Sequence, residues 1–168
     1  FSATSRAYRY LLLNRRSGTA IDRKRVWCVS QPLNFDAMRE AAAYLVGKHD
    51  FNAFRASSCQ SKSAIRTITN LELSQHGESI ALDVRGNAFL HHMIRNIMGS
   101  LVRVGAGEAE PDWIRQILES RDRTLSGITA PPQGLYFVDV VYPEAFALPE
   151  NGSAVSPLVS DVPFLRVL

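Results

Sequence analysis

Between Asn87 and Val104 the chain reads Asn-Ala-Phe-Leu-His-His-Met-Ile-Arg-Asn-Ile-Met-Gly-Ser-Leu-Val-Arg-Val, and this stretch constrains the fold more than any other. Leu90, Ile94, Ile97, Leu101 and Val104 recur at helical spacing, so one stripe of the helix must face a core. On the other side fall His92, Arg95, Asn96, Gly99 and Arg103. Asn87 can cap the helix start, because its side-chain oxygen can accept from an otherwise unpaired N–H of the first turn. A glycine in mid-helix costs about 1 kcal/mol relative to alanine. Two readings stay open: an exposed face with a helix-packing glycine, or a face that another group approaches closely.

The rest of the chain can supply the core this helix needs. A length of 168 residues suits one domain, and 46% apolar with 21% charged residues is ordinary for a globular protein. No apolar run reaches the roughly 20 residues that cross a bilayer. The chain opens at Phe1 rather than Met, which predicts a fragment or a processed product. Cys28 and Cys59 stand alone, as in a reducing cytoplasm, and no second thiol lies at metal-ligand spacing.

Hydrophobic periodicity predicts strands at about Ser2 to Leu13 and Val26 to Val29. A helix capped by Asn34 or Asp36 follows and ends at Gly47, with a further helical turn at His49 to Arg55. Ile65 to Ser74 and Ser79 to Val84 flank Gln75-His76-Gly77-Glu78 as a hairpin. Pro111 opens another helix, with Trp113, Ile114, Ile117 and Leu118 on one face. Leu135 to Tyr142 reads as a buried strand, and residues 144–168 as a loosely ordered tail. This order predicts an α+β fold, a largely antiparallel sheet flanked by helices.

Charge is uneven. Residues 1–66 carry twelve Lys/Arg against four Asp/Glu, and residues 67–168 carry seven against twelve. A basic half suits a polyanion, although solvated arginines give the same pattern. Tyr8 and Tyr10 fall on one strand face with Arg6, a stacking platform for a nucleobase or a pair of core tyrosines. His91 and His92, adjacent on a helix, would point about 100° apart and serve one metal ion poorly. Neither the phosphate-binding glycine loops nor a G-x-S-x-G nucleophile elbow is present.

Four motifs occur in order along the chain: Phe1-Ser-Ala-Thr-Ser-Arg-Ala-Tyr-Arg-Tyr, Asp50-Phe-Asn-Ala-Phe-Arg, Asn87-Ala-Phe-Leu-His-His-Met-Ile-Arg-Asn-Ile-Met-Gly and Thr129-Ala-Pro-Pro-Gln-Gly-Leu-Tyr-Phe. Together they resemble the tRNA pseudouridine synthase A family, most closely its bacterial members. That family isomerises uridine to pseudouridine at tRNA positions 38–40 in the anticodon stem-loop, without metal or organic cofactor. Its catalytic aspartate sits in a G-R-T-D-A-G motif that is missing from this sequence. The resemblance therefore implies that residues 1–143 are the carboxy-terminal half of the catalytic domain, one of two related halves that meet at the active-site cleft.

The same resemblance implies roles for single residues. Tyr8 would stack on the flipped target base, Leu135 would close the apolar side of the base pocket, and Arg95 would orient the missing aspartate and keep it ionised. An adjacent Arg typically lowers an Asp pKa by about 1–3 units. Arg6, Arg55, Lys62, His92 and Arg103 are candidates for RNA contacts. A cytoplasmic homodimer acting on tRNA is implied, with this chain inactive alone. Two other classes fit the same pattern: a non-catalytic RNA-binding module that shares the fold, and a protein-interaction domain.

Overall fold

A computed structural model of the chain describes residues 3–17, 22 and 24–143. The proposed tail at 144–168 lies outside them, as do Ser2 and Arg23. Among the described residues the architecture is the α+β arrangement the sequence predicts: one mixed, mostly antiparallel six-stranded sheet with helices on one face.

Strand β1 (Ser5–Asn14) is the hub. Along one edge it pairs antiparallel with β5 (Ser79–Gly86), from Arg6 opposite Gly86 to Leu13 opposite Ser79. Along its other edge it pairs with two strands in succession. Its first half runs antiparallel to β6 (Leu135–Val141), with a bulge at Ala7 and Tyr8, and its end runs parallel to β2 (Trp27–Val29). Beyond β5 lie β4 (Ile65–His76) and then β3 (Gly47–Asp50).

Three helices cover the sheet: α1 (Phe35–Ala43), α2 (Met93–Gly105) and α3 (Trp113–Ser120). Tyr10, Leu12, Ile80 and Leu82 of the sheet meet Met38, Ile97, Leu101 and Ile114 of the helices in one continuous core, all nearly inaccessible to water. Burying each aliphatic side chain of this size contributes about 1.5–3 kcal/mol. On the opposite face Leu11, Leu13, Val26 and Ala81 form a smaller cluster. Beside it Arg9 and Asp83 form a buried ion pair, Nε to Oδ1 at 2.7 Å. Burial raises the Asp83 carboxyl, and the hydrogen bond from Arg9 opposes that rise.

Four local expectations are corrected. Asn34 does cap α1, its Oδ1 accepting from Ala37 N, but the helix stops at Ala43 rather than at Gly47. Gly47, with φ of 108°, turns the chain into β3, so the predicted helical turn at His49 to Arg55 starts as strand at His49 and Asp50 and is helical only at Asn52–Phe54, as a 3-10 turn. Asn87 does not cap α2, because its Oδ1 accepts from Thr67 N and Ala88 N and ties the chain to the bulge in β4. Helix α2 begins six residues later, after His92. Finally, β6 is a strand but an exposed one: Phe137 is 58% exposed and Val138 44%. It borders the sheet beside β1.

Candidate functional site

Of the two readings open for the polar face of α2, close approach is the one that holds around Asn96 and Gly99. Asn96, Gly99 and Ser100 are buried, because residues 123–130 lie along the helix as a strap. The register is fixed bond by bond. Gly127 N donates to Ser100 Oγ at 2.9 Å, Thr129 Oγ1 donates to Asn96 Oδ1 at 2.6 Å, and Ala130 N donates to Arg95 O at 3.1 Å. Between them Ile128 crosses Gly99 so tightly that a Cβ there would fall 1.8 Å from the Ile128 carbonyl oxygen. The close approach that the glycine signalled is real, and its source is the protein's own backbone.

Beyond the strap, α2 opens onto a cavity of about 350 Å³. Tyr8 from β1, Arg95 from α2 and Leu135 at the start of β6 line it together, three residues singled out from separate motifs. Tyr8 is half-buried and held edge-on by two rings, Phe89 at 5.4 Å and Phe137 at 5.5 Å between centroids. Edge-to-face pairs of this kind contribute about 0.5–1.5 kcal/mol beyond area burial. Tyr10, two residues on, serves the fold instead. It is fully buried, and its hydroxyl donates to Pro131 O at 2.7 Å.

Arg95 is half-buried, and its Nε donates to Ala130 O at 2.6 Å. Among the described residues neither of its two Nη atoms has a hydrogen-bond partner, and no Asp or Glu lines the cavity. One nitrogen of the guanidinium is thus anchored while the other two can meet an acidic group.

His91 and His92 precede α2, so the helical separation inferred from their adjacency does not apply. Their rings lie 3.9 Å apart at a 31° tilt. His92 takes a left-handed backbone, φ of 59°, an uncommon state for a non-glycine residue. Burial, then the positive Arg95 and then His91, hold its imidazole below the ordinary histidine range, so it is neutral at pH 7. His91 Nδ1 lies 3.2 Å from Ser58 Oγ, which seats the 55–63 loop on the cavity rim. Among the described residues no group of three metal-ligating side chains forms.

The candidate RNA contacts divide. His92 lines the cavity. Arg55 and Lys62 belong to the rim loop, where Lys62 is exposed but Arg55 Nη2 donates to Cys59 O and Ser61 O, both at 2.7 Å. Arg6 Nη1 donates to Asn87 O at 3.2 Å. Arg103 lies apart from the cavity, at the far end of α2, over the Trp113 ring at 4.9 Å. Sequence reasoning missed Phe137 and Arg123. Phe137 looked like one more apolar strand residue, and Arg123 sits in a mixed-charge run that resembles any solvated turn.

By itself the cavity can hold a flat ring against Tyr8, with apolar walls on one side and a cation on the other. Among the described residues that line it there is no carboxylate.

Comparison with known proteins identifies the family of the chain. A family model described as tRNA pseudouridine synthase matches residues 41–143. The tRNA pseudouridine synthase A of Alcanivorax borkumensis is 51% identical over 151 residues, covering 90% of this chain and 57% of that protein. That of Nitrosococcus oceani is 50% identical over 156 residues, covering 93% of this chain and 60% of the relative. For Pseudomonas aeruginosa the identity is 51%, over 90% of this chain and 53% of the relative. The chain thus spans somewhat more than half the length of the curated relatives it matches. With the motifs, the sheet and the family match in agreement, the chain belongs to the tRNA pseudouridine synthase family.

Proposed function

We propose that this chain supplies half of the active site of a tRNA pseudouridine synthase, acting at positions 38–40 of the anticodon stem-loop. The observation that carries this reading is the convergence of Tyr8, Arg95 and Leu135 on one cavity that, among the described residues, no carboxylate lines. The names of the relatives supply the reaction class.

The isomerisation breaks the bond from N1 of uracil to C1′ of the ribose and forms one from C5 to C1′. The C5 proton leaves and N1 ends protonated, so no atom is gained or lost. Between the two steps the detached base must turn without leaving. Tyr8 gives it a stacking face, and Leu135 closes the apolar side so that water does not intercept the sugar. A carboxylate from the remainder of the protein pairs with Arg95, which holds it ionised and aimed. Flipping the uridine into this pocket costs a few kcal/mol of unstacking, part of which the aromatic face recovers.

The basic residues favour a tRNA partner. Arg6, and Arg55 and Lys62 on the 55–63 loop, contact RNA phosphate groups in this reading, with His92 lining the cavity. Arg103 contributes only to a wider electrostatic field. The full-length protein acts as a cytoplasmic homodimer.

The test is pseudouridine formation in an unmodified tRNA transcript. The full-length protein that carries this chain is expected to form pseudouridine in the anticodon stem-loop, and the chain alone to form none. Product from the chain alone would place the nucleophile within it and overturn the half-site reading. Salt-dependent RNA binding by the full-length protein without product would make an RNA-binding module the better reading.

A further inference from the structure

Arg123 makes four hydrogen bonds from one side chain, three to residues 126–129 and one to Asn96 of α2. Nη1 donates to Ser126 Oγ at 2.6 Å and to Gly127 O at 3.1 Å. Nη2 donates to Asn96 Oδ1 at 3.0 Å and to Thr129 Oγ1 at 3.0 Å. Its acceptors flank the one residue that grips Arg95 at two points. Ala130 N donates to Arg95 O, and Ala130 O accepts from Arg95 Nε. Thr129 is the residue before Ala130, and Asn96 is the residue after Arg95. Asn96 is fully buried, and its Nδ2 donates to Phe54 O at 2.8 Å, so it cannot swing to follow a displaced strap.

We propose that Arg123 is a positioning residue for Arg95, setting the angle of its guanidinium through Asn96 and the 126–130 strap. Arg123 does not line the cavity beside Tyr8 and takes no part in the chemistry. Its planar fork suits this task better than a lysine would, because four donors must meet acceptors in fixed directions. Without it, Thr129 Oγ1 and Asn96 Oδ1 keep only their bond to each other, and the strap is left with the bonds from Gly127 N to Ser100 Oγ and from Ala130 N to Arg95 O. Arg95 Nε then follows a less restrained acceptor. The expected consequence is a misaimed cation at the reacting centre, since misplacement by about 1 Å costs about 10²-fold in rate.

The effect on turnover rests on the function proposed above, so the test carries a second readout that does not. Arg123→Ala, Arg123→Lys and Thr129→Val are made in the full-length protein. The first readout is kcat and KM for an unmodified tRNA transcript. The second is the NMR signal and hydrogen exchange of the Arg95 side-chain Nε–H. In the parent protein that proton should be protected by its bond to Ala130 O. For Arg123→Ala the expected result is a fall in kcat of about 10²-fold, KM little changed, and fast exchange at Arg95 Nε–H. Arg123→Lys restores part of both, and Thr129→Val produces the same signature more weakly.

An unchanged Arg95 Nε–H in Arg123→Ala overturns the proposal, as does a lowered melting temperature with kcat intact. Should Arg123→Ala fail to fold, Thr129→Val decides by the same readouts. If the parent protein makes no pseudouridine, the proposed function fails, and the Nε–H signal still decides for or against Arg123.

Discussion

Helix α2 carries two arginines about 12 Å apart along its axis, and the protein treats them in opposite ways. Arg95, in the first half, is half-buried, anchored at Nε and faces a cavity. Arg103, in the second half, is 45% exposed, stacks on Trp113 and reaches Glu108 at 3.8 Å. The two glycines of the helix repeat the contrast. Gly99 lies against the Ile128 backbone, which hydrogen bonds on both sides prevent from moving. Gly105 lies against the Met38 side chain, whose Sδ would be 2.6 Å from an added Cβ. Position along one helix thus decides whether an arginine faces the cavity or solvent, and whether a glycine meets backbone or a side chain. A fixed neighbour makes the residue specific, and a flexible neighbour makes it replaceable.

Substitutions can sharpen or break this contrast. The largest effect is expected for Arg95→Ala in the full-length protein: a loss of about 10³-fold in turnover with tRNA still bound, read by single-turnover kinetics beside a binding assay. Normal turnover would remove Arg95 from the site. Next comes Gly99→Ala, expected to destabilise by about 3 kcal/mol or more, at or above the upper end of overpacking costs. Gly105→Ala is expected to cost under about 1 kcal/mol, because Met38 can shift and alanine favours the helix by about as much. Urea unfolding of both variants checks the pair, and equal costs would erase the distinction.

Arg103→Ala is expected to cost about 0.5–1 kcal/mol of stability, the worth of an exposed cation–π contact, and to leave turnover unchanged. A loss of turnover comparable to that of Arg95→Ala would extend the site along the whole helix.

The smallest effect concerns His92. Its folded pKa is depressed, so the unfolded chain binds the proton more readily. The contribution of His92 to stability is therefore complete above the unfolded value of about 6.5 and is lost as pH falls through the folded value. His92→Asn, which tolerates the left-handed backbone, should reduce the drop in melting temperature between about pH 7.5 and about pH 5.5. An equal drop in both proteins would assign the acid sensitivity to other groups.

Periodicity alone made much of the fold legible. The apolar stripe of α2, the hairpin at Gly77 and the apolar run of β1 were recorded directly in the residue types, although α2 and β1 are buried on more than the one face that periodicity marks. The start of α2 was not legible, because Asn87 has the chemistry of a cap and bonds instead to β4, a contact twenty residues away in sequence. Nor was the exposure of β6 legible, since apolar residues on an uncovered edge read like apolar residues in a core. Of the site, Tyr8, Arg95 and Leu135 were found through motifs, whereas no local pattern separated Tyr8 from the buried Tyr10. Arg123 was invisible for a related reason: its importance lies in what residues 126–130 and Asn96 bring to it.

The most direct measurement is a crystal structure of the full-length protein, read for the distance from Arg95 Nη atoms to the nearest carboxylate. An aspartate from outside this chain within about 4 Å, an ion-pair distance, facing Tyr8 across the cavity, is the expected result. A full-length structure in which no carboxylate reaches Arg95, or in which the remaining residues cover a different face of the sheet, would contradict the half-site outright.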